Sequence, residues 1–350
     1  MNEIKLTSYS HGAGCGCKIA PEVLDKILSG NHSALTFKEL LVGNRSRDDA
    51  AAYDLGDGRV LVSTTDFFMP IVDDPYTFGR IAAANAISDV YAMGAKPIMA
   101  IAILGWPINT LAPDIAARVV EGGSSMCSEA GIPLAGGHSI DCPEPVFGLS
   151  VNGIVKSENL KRNDTAQNGD LLYLTKKIGV GILTTAEKKG ILVDEHRSAS
   201  ASQMMKLNDI GYVFGELPYV HSMTDVTGFG LLGHLIEMAE GSGLSAEIRL
   251  DHVPPIVDDI GSYIKANSVP GGTNRNWSSY GGKVGISDGL DSEFVRSFLA
   301  DPQTSGGLLV AVAPSESDTF EKYLTDKGYS AHSRPIGKML ARTERVVHVR

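Results

Sequence analysis

The sequence predicts an α/β chain, or α+β layers, in two domains, and three observations predict it. At 350 residues the chain is long enough for two ordinary cores. Hydrophobic residues make up 43% of it, a globular share that excludes wholesale disorder. Strand-like and helix-like stretches alternate through both halves, as they do where strands and helices are layered. No short-period repeat accompanies them.

The elements follow in chain order. The glycine-rich stretch Gly12-Ala13-Gly14-Cys15-Gly16-Cys17-Lys18 opens the chain as a mobile loop over residues 1–18. Ile19 to Leu28, with Pro21 near its start, reads as a short helix. Asp49 to Leu55 and Arg59 to Thr65 are strand-like runs joined through Gly56-Asp57-Gly58, a strong hairpin signal. Tyr76 to Met93 is alanine-rich with apolar residues at helical spacing, and stops at Gly94. Pro97 to Leu104 is a buried-strand candidate and Pro113 to Ala130 a helix. Ile132 to Ala135 is a further strand, running into a glycine turn at Ala135-Gly136-Gly137-His138-Ser139. Val146 to Val155 closes the half. Lys156 to Gly169 is polar and weakly patterned, which places the domain boundary near residue 160 and gives domains of 19–160 and 161–350.

In the second half, Leu171 to Thr175 is a strand and Gly179 to Lys189 and Ala199 to Ile210 are helices. His221 to Asp225 leads into a helix over Leu231 to Ala239. Ala246 to Leu250 and Gly307 to Val312 are strands, whereas Val269 to Gly285 reads as a long glycine-rich loop. The tail after about Pro314 carries no usable motif.

Charge and cysteine content narrow the function classes. A net charge of -10 argues against a sequence-independent grip on nucleic acid or an anionic membrane, yet admits a phosphorylated small molecule bridged by divalent cations. Four cysteines (Cys15, Cys17, Cys127, Cys142) are too few for a disulfide scaffold and suit a reducing compartment. With no signal-peptide core and no apolar run of about 18 residues, the expected location is the cytoplasm.

Two features carry chemistry. Lys18, three residues past Cys15, can hold a cation beside a thiolate, the arrangement that activates a cysteine. Aspartates fall at element ends beside small or hydroxyl residues, at Asp49, Asp66 and Asp225, while Asp89 joins Asn85 and Ser88 in a polar stripe on an otherwise apolar helix. Oxygen ligands of this kind suit Mg²⁺ with phosphate oxygens completing the shell, although the stripe could equally face solvent. The Gly136-Gly137 turn offers backbone amides to an anion. Neither a GxxxxGK[ST] loop nor a protein-kinase signature set is present.

Gly228-Phe229-Gly230-Leu231-Leu232-Gly233 fits the spacing of a dinucleotide fingerprint, with Asp251 about 20 residues on. Against that reading, Asp225 would repel a pyrophosphate, and the motif lies deep in the chain. A zinc site on Cys15 and Cys17 would need two further ligands from His11, His138, Cys127 or Cys142, none at close spacing.

Seven stretches together resemble the selenophosphate synthetase family, the selenide, water dikinases. They are SHGAGCGCK at 10–18, RDDAA at 47–51, STTDFF at 63–68, NAISDVYAMG at 85–94, LAGGHSID at 134–141, MTDVTGFGLLGHL at 223–235 and DPQTSGGLL at 301–309. The resemblance covers nearly the whole chain, with no departure at the motif positions. The glycine motifs alone would indicate only the wider aminoimidazole-ribonucleotide-synthetase-like group of ATP enzymes.

The resemblance implies a homodimer whose N-terminal sheets combine into a β-barrel, and a C-terminal α/β domain. The implied reaction converts ATP, selenide and water into selenophosphate, AMP and orthophosphate, for selenocysteine and selenouridine synthesis. Mg²⁺ would be required and K⁺ would activate; a selenium-delivery protein is a conceivable partner, and nucleic acid and membrane are not expected. Cys15 would be the catalytic thiol, with Cys17 less essential, and Lys18 would act in catalysis and on the nucleotide phosphates. Ser46, Arg47, Asp48, Asp66, Asp89, Gly137, His138 and Ser139 would complete the ATP site, and Asp49, Asp89 and Asp225 would hold metal.

Overall fold

A computed structural model describes residues 4–17, 23, 26–27, 37–43 and 48–350. The helix expected over Ile19–Leu28 lies outside them, apart from Val23, Lys26 and Ile27, which are helical. A short 3₁₀ turn, Gly14–Cys17, carries the backbone of the cysteine loop.

The first half begins with β1 (Leu40–Val42), β2 (Ala51–Asp54) and β3 (Arg59–Phe68), and β2 and β3 form the hairpin that Gly56-Asp57-Gly58 predicts. Helix α1 (Pro75–Ala92) starts where Asp74 accepts a 2.7 Å bond from the Thr77 amide, with Pro75 in the first helical position that suits it. Then come β4 (Lys96–Trp106), α2 (Pro113–Glu129), β5 (Leu134–Asp141) and β6 (Val146–Lys156). The sheet order is β1-β2-β3-β6-β4-β5, antiparallel except for the β4–β5 pair, which α2 connects as a crossover.

Helix α1 is buried almost all round, because alanines and two isoleucines leave no polar face wide enough to meet solvent. It packs on β3, β6 and α2. Two glycines let α1 and α2 touch: a Cβ on Gly79 would stand 1.9 Å from the Val119 carbonyl oxygen, and one on Gly122 would stand 2.0 Å from that of Tyr76.

The second half runs β7 (Leu171–Leu174), α3 (Val180–Lys188), α4 (Arg197–Met204), α5 (Ile210–Gly215), β8 (Val220–Asp225), α6 (Gly230–Gly241), β9 (Ser245–Ile248), α7 (Ile260–Lys265) and α8 (Gly271–Tyr280). It finishes with β10 (Val284–Ile286), α9 (Ser292–Leu299), β11 (Leu308–Val312), α10 (Ser317–Asp326), β12 (Gly337–Leu340) and β13 (Val347–Val349). The seven strands lie in the order β10-β13-β9-β12-β7-β11-β8, with all of β11 buried. The polar segment after β6 packs on both halves, since the Lys161 amide donates to Met93 O and the Lys161 ammonium to Leu217 O and Val220 O. The main apolar core draws on both sheets, and a second cluster gathers around Tyr173, Phe214 and Phe320. Among the described residues no helix is long and apolar enough to cross a membrane.

The structure corrects several local expectations. Ala135 to Ser139 is not a turn but the middle of β5. There Gly136, at φ 137°, accompanies a register shift, and a Cβ on Gly137 would meet the Ala102 carbonyl oxygen at 2.4 Å. The glycines signal an irregular, closely packed strand. The helix expected over Ala199–Ile210 breaks after Met204, because the Lys206 carbonyl accepts from Lys176 Nζ at 2.7 Å and Asn208 turns inward. Within Val269–Gly285 lies helix α8, whose buried face, Thr273, Asn276 and Tyr280, has helical spacing but mostly polar members, so apolar periodicity misses it. The tail beyond Pro314 supplies two sheet strands, β12 and β13.

Candidate active site

Helix α1 carries the polar stripe of Asn85, Ser88 and Asp89 into the interior, where all three are buried. Each meets a group from another element. Thr64 Oγ1 of β3 donates to Asp89 Oδ2 at 2.5 Å, and Ser88 Oγ donates to Asp225 Oδ2, at the end of β8, at 2.6 Å. Asn85 Nδ2 donates to Asp66 Oδ2 at 2.6 Å, while Asn85 Oδ1 accepts the Ser305 amide at 2.7 Å. The stripe therefore binds the two halves together and does not face solvent.

Asp48 and Asp49 arrive just before β2. Thr224 Oγ1 donates to Asp49 Oδ1 at 2.8 Å, but Asp49 Oδ2, shut off from solvent, has no hydrogen-bond partner among the described residues. Burial first, then the charges of Asp225, Asp48 and Asp89, push the Asp49 carboxyl well above its ordinary range. Burial likewise raises Asp48 to about 7, against the pull of the Asp49 and Asn163 amides that donate to it. Asp49 thus feels the charge of three aspartates, its neighbour Asp48 and two from segments distant in sequence.

Among the described residues no three carboxylate, histidine or cysteine side chains form a ready metal-holding group. The donors nevertheless fit Mg²⁺, a hard cation that usually takes one or two protein carboxylates and completes its shell with water and substrate phosphate. An unpartnered, solvent-shielded carboxylate oxygen amid like charges is what such an ion would relieve.

The other expected residues fall in two groups. Gly137, His138 and Ser139 lie exposed on edge strand β5. Three strand spacings, about 14 Å, separate that edge from β3 and Asp66, so one chain does not bring them together. Lys18, Ser46 and Arg47 lie outside the described residues, and of Cys15 and Cys17 only the backbone is described. That backbone sits at one end of the acidic site: a Cβ on Gly14 would be 2.5 Å from Thr304 Oγ1, next to the Ser305 that bonds Asn85.

The GxGxxG stretch opens α6 but presents no cradle. Asn276 Nδ2 holds the Gly228 carbonyl at 2.9 Å, Tyr280 Oη holds that of Phe229 at 2.6 Å, and a Cβ on Gly230 would strike Ala300. Asp251 sits in a 3₁₀ turn. Cys127 is buried within α2, and Cys142 Sγ lies 2.9 Å from the Glu144 carbonyl.

Sequence reading missed Thr64, Thr224, Asn208 and Lys176. Asn208 Nδ2 donates to Ser88 Oγ and Gly306 O, and Lys176 Nζ to the Lys206 and Ser305 carbonyls, with burial driving its ammonium down to about 7. The hydroxyls beside aspartates were the one available signal; Asn208 and Lys176 stand far from any motif used.

Family models described as AIR synthase related protein, N-terminal domain, and AIR synthase related protein, C-terminal domain, match residues 47–155 and 167–350. The chain is 59% identical over 343 residues, 98% of its length and 97% of the relative's, to a selenide, water dikinase of Aeromonas salmonicida. It is 56% identical over 347 residues, 99% of each chain, to the protein so named in Colwellia psychrerythraea. Among solved structures it resembles the thiamine-monophosphate kinase of Stenotrophomonas maltophilia, with TM-score 0.63 at 18% identity over 95% of this chain and 96% of that one. It also resembles the hydrogenase maturation protein HypE in complex with ATP, with TM-score 0.63 at 19% identity over 99% and 94%. At those identities the likeness speaks for the fold alone. Together with the full-length matches above 50% identity, the two family models lead to one conclusion: this chain belongs to the selenide, water dikinase family, built on the AIR synthase related fold.

Proposed function

We propose that this chain is a selenophosphate synthetase, which converts ATP, selenide and water into selenophosphate, AMP and orthophosphate. The observation that carries the reading is the convergence of Asp48, Asp49, Asp89 and Asp225, with Asp49 Oδ2 unpartnered among the described residues, beside a docked cysteine loop. ATP carries about four negative charges, so such a site accepts it only with divalent cations between. Asp49, Asp89 and Asp225 would hold Mg²⁺, whose contribution is to neutralise phosphate charge. Asp66, fixed by Asn85, and Asp48, fixed by the Asn163 amide, border the nucleotide, joined by Lys18, Ser46 and Arg47.

Phosphoryl transfer depends mainly on positioning and charge neutralisation, so the residues' work is to orient the anhydride and present the nucleophile. Cys15 handles the selenium, a soft chalcogen matched by a thiol, while Lys18 offsets charge on the transferred group. K⁺ serves as activator.

The Gly137-His138-Ser139 strand reaches the nucleotide only from a second copy. Phe67, Ile98, Ile101 and Ile140 on the first sheet are 51%, 46%, 40% and 58% exposed, more apolar surface than a solitary sheet presents to water. A homodimer joined through these sheets covers it and sets β5 of one copy beside the aspartates of the other. Phosphorus NMR of ATP, Mg²⁺ and selenide with the protein tests the whole reading. AMP, orthophosphate and a selenium-bound phosphate are expected together; ADP as the sole adenosine product, or no selenide dependence, overturns it.

A further inference from the structure

The cysteine loop is gripped from both halves of the molecule. At its base Thr7 gives its amide and hydroxyl to Asp73 Oδ1, at 3.1 and 2.6 Å. His11 Nδ1 pairs with the Glu144 carboxylate at 2.8 Å, and the Gly14 amide donates to Met69 O at 3.0 Å. All three holds come from the first half. The fourth comes from the second: Arg275 Nη2, on α8, donates to the Gly16 carbonyl at 2.7 Å.

Gly16 is flanked by Cys15 and Cys17, so its carbonyl is the nearest backbone acceptor beyond the first cysteine. Gly14 takes φ 51°, and a Cβ there would collide with Ile71 Cδ1 and Thr304 Oγ1 at 2.5 Å, so the turn has little room on its inner side. On the outer side the glycines supply no side chain to pack. The Arg275 guanidinium reaches across from α8 and holds the turn there.

We propose that Arg275 is a positioning residue for Cys15: by holding the carbonyl between the two cysteines, it fixes the thiol's backbone against the acidic site. This rests on Cys15 as the reacting thiol. Arg275 acts through the loop, by its bond to the Gly16 carbonyl. A guanidinium suits the task, because its charge strengthens a hydrogen bond to a neutral carbonyl and its planar fork loses little freedom on docking.

The test uses the full-length protein and the variants Arg275→Gln and Arg275→Lys, with Arg197→Gln, whose pair with Asp194 is exposed, as the control. Two quantities are read: the rate of selenide-dependent AMP formation with its KM for ATP, and the rate of Cys15 alkylation by iodoacetamide, located by peptide mass spectrometry. Losing one charge-assisted bond predicts a kcat lower by about tenfold in Arg275→Gln, with KM for ATP changed less than about twofold. Cys15 alkylation should quicken several-fold, and Arg275→Lys should recover part of both effects. An unchanged kcat and alkylation rate overturns the proposal, as does a parallel loss of ATP affinity and thermal stability that marks a general structural role. If the wild-type protein forms no AMP from selenide, the functional reading fails, while the alkylation rates still decide whether Arg275 holds the loop.

Discussion

Ser88 Oγ donates to Asp225 Oδ2 across 2.6 Å, a bond between residues 137 positions apart. It ties helix α1 of the first half to the last residue of β8, and Asn208 Nδ2 holds the same hydroxyl from behind at 2.7 Å. Ser88→Ala removes a donor from Asp225 and an acceptor from Asn208. The expected cost is about 1–3 kcal/mol in urea denaturation, against a near-neutral result for the exposed Ser262→Ala.

Stability and function should part at Asp49. Asn in its place keeps the shape but removes the charge that Asp225, Asp48 and Asp89 oppose. In EDTA, Asp49→Asn should melt no lower than the wild type, whereas its affinity for ATP in Mg²⁺ should fall by at least about tenfold, or 1.4 kcal/mol. The same loss of Mg²⁺-dependent ATP binding, with folding intact, is expected for Asp89→Asn and Asp225→Asn. Titration calorimetry showing undiminished affinity would remove the metal assignment.

Cys15→Ser should abolish selenide-dependent AMP formation while ATP still binds in Mg²⁺, because the hydroxyl keeps the loop's bulk and loses its soft nucleophile. Full activity in the serine variant would mean that selenium is handled elsewhere.

A pH effect is expected at Asp301. Its carboxylate receives the Gly181 amide at 2.9 Å and Gln303 Nε2 at 2.8 Å, yet Oδ1 has no partner among the described residues, and burial pushes the group up to about 8. The unfolded chain releases this proton near the ordinary value of 3.8, so the folded state binds more protons in between. The contribution to stability is therefore whole below about pH 4 and is lost as pH rises to about 8, by a few kcal/mol. Asp301→Asn should flatten that slope in denaturation curves collected across the range.

Packing gives a prediction free of charge effects. Gly79→Ala drives a methyl into the Val119 carbonyl and should destabilise by about 1–3 kcal/mol or more, because both partners are helix backbone and cannot step aside. Gly282→Ala, with nothing within 4 Å, should change little.

What was legible in the sequence divides along physical lines. Local signals held: the Asp-Gly hairpin between β2 and β3, the alanine-rich α1 ending at Gly94, and β11 as an apolar run are each specified by a few adjacent residues. Signals with two meanings did not. Gly136-Gly137 reads as a turn until one sees that the glycine lets β5 close on Ala102, and Asn276 reads as loop until its bonds to Gly228 and Ala300 show a polar helix face turned inward. Within the site, the aspartates stood out because carboxylates at strand ends are conspicuous. Their supports did not, since Ser305 meets Asn85 across 220 residues and Asn208 meets Ser88 across 120, partnerships that only the fold creates.

Helix α1 packs on the first sheet, on α2 and on the elements of the second half, while Asn85 reaches Asp66 and Ser305, Ser88 reaches Asp225 and Asp89 reaches Thr64. An element with no free side cannot accumulate neutral changes one residue at a time. In a saturation-mutagenesis library its tolerated alleles should be confined to near-isosteric exchanges along almost the whole span, making it the deepest contiguous trough in the fitness map.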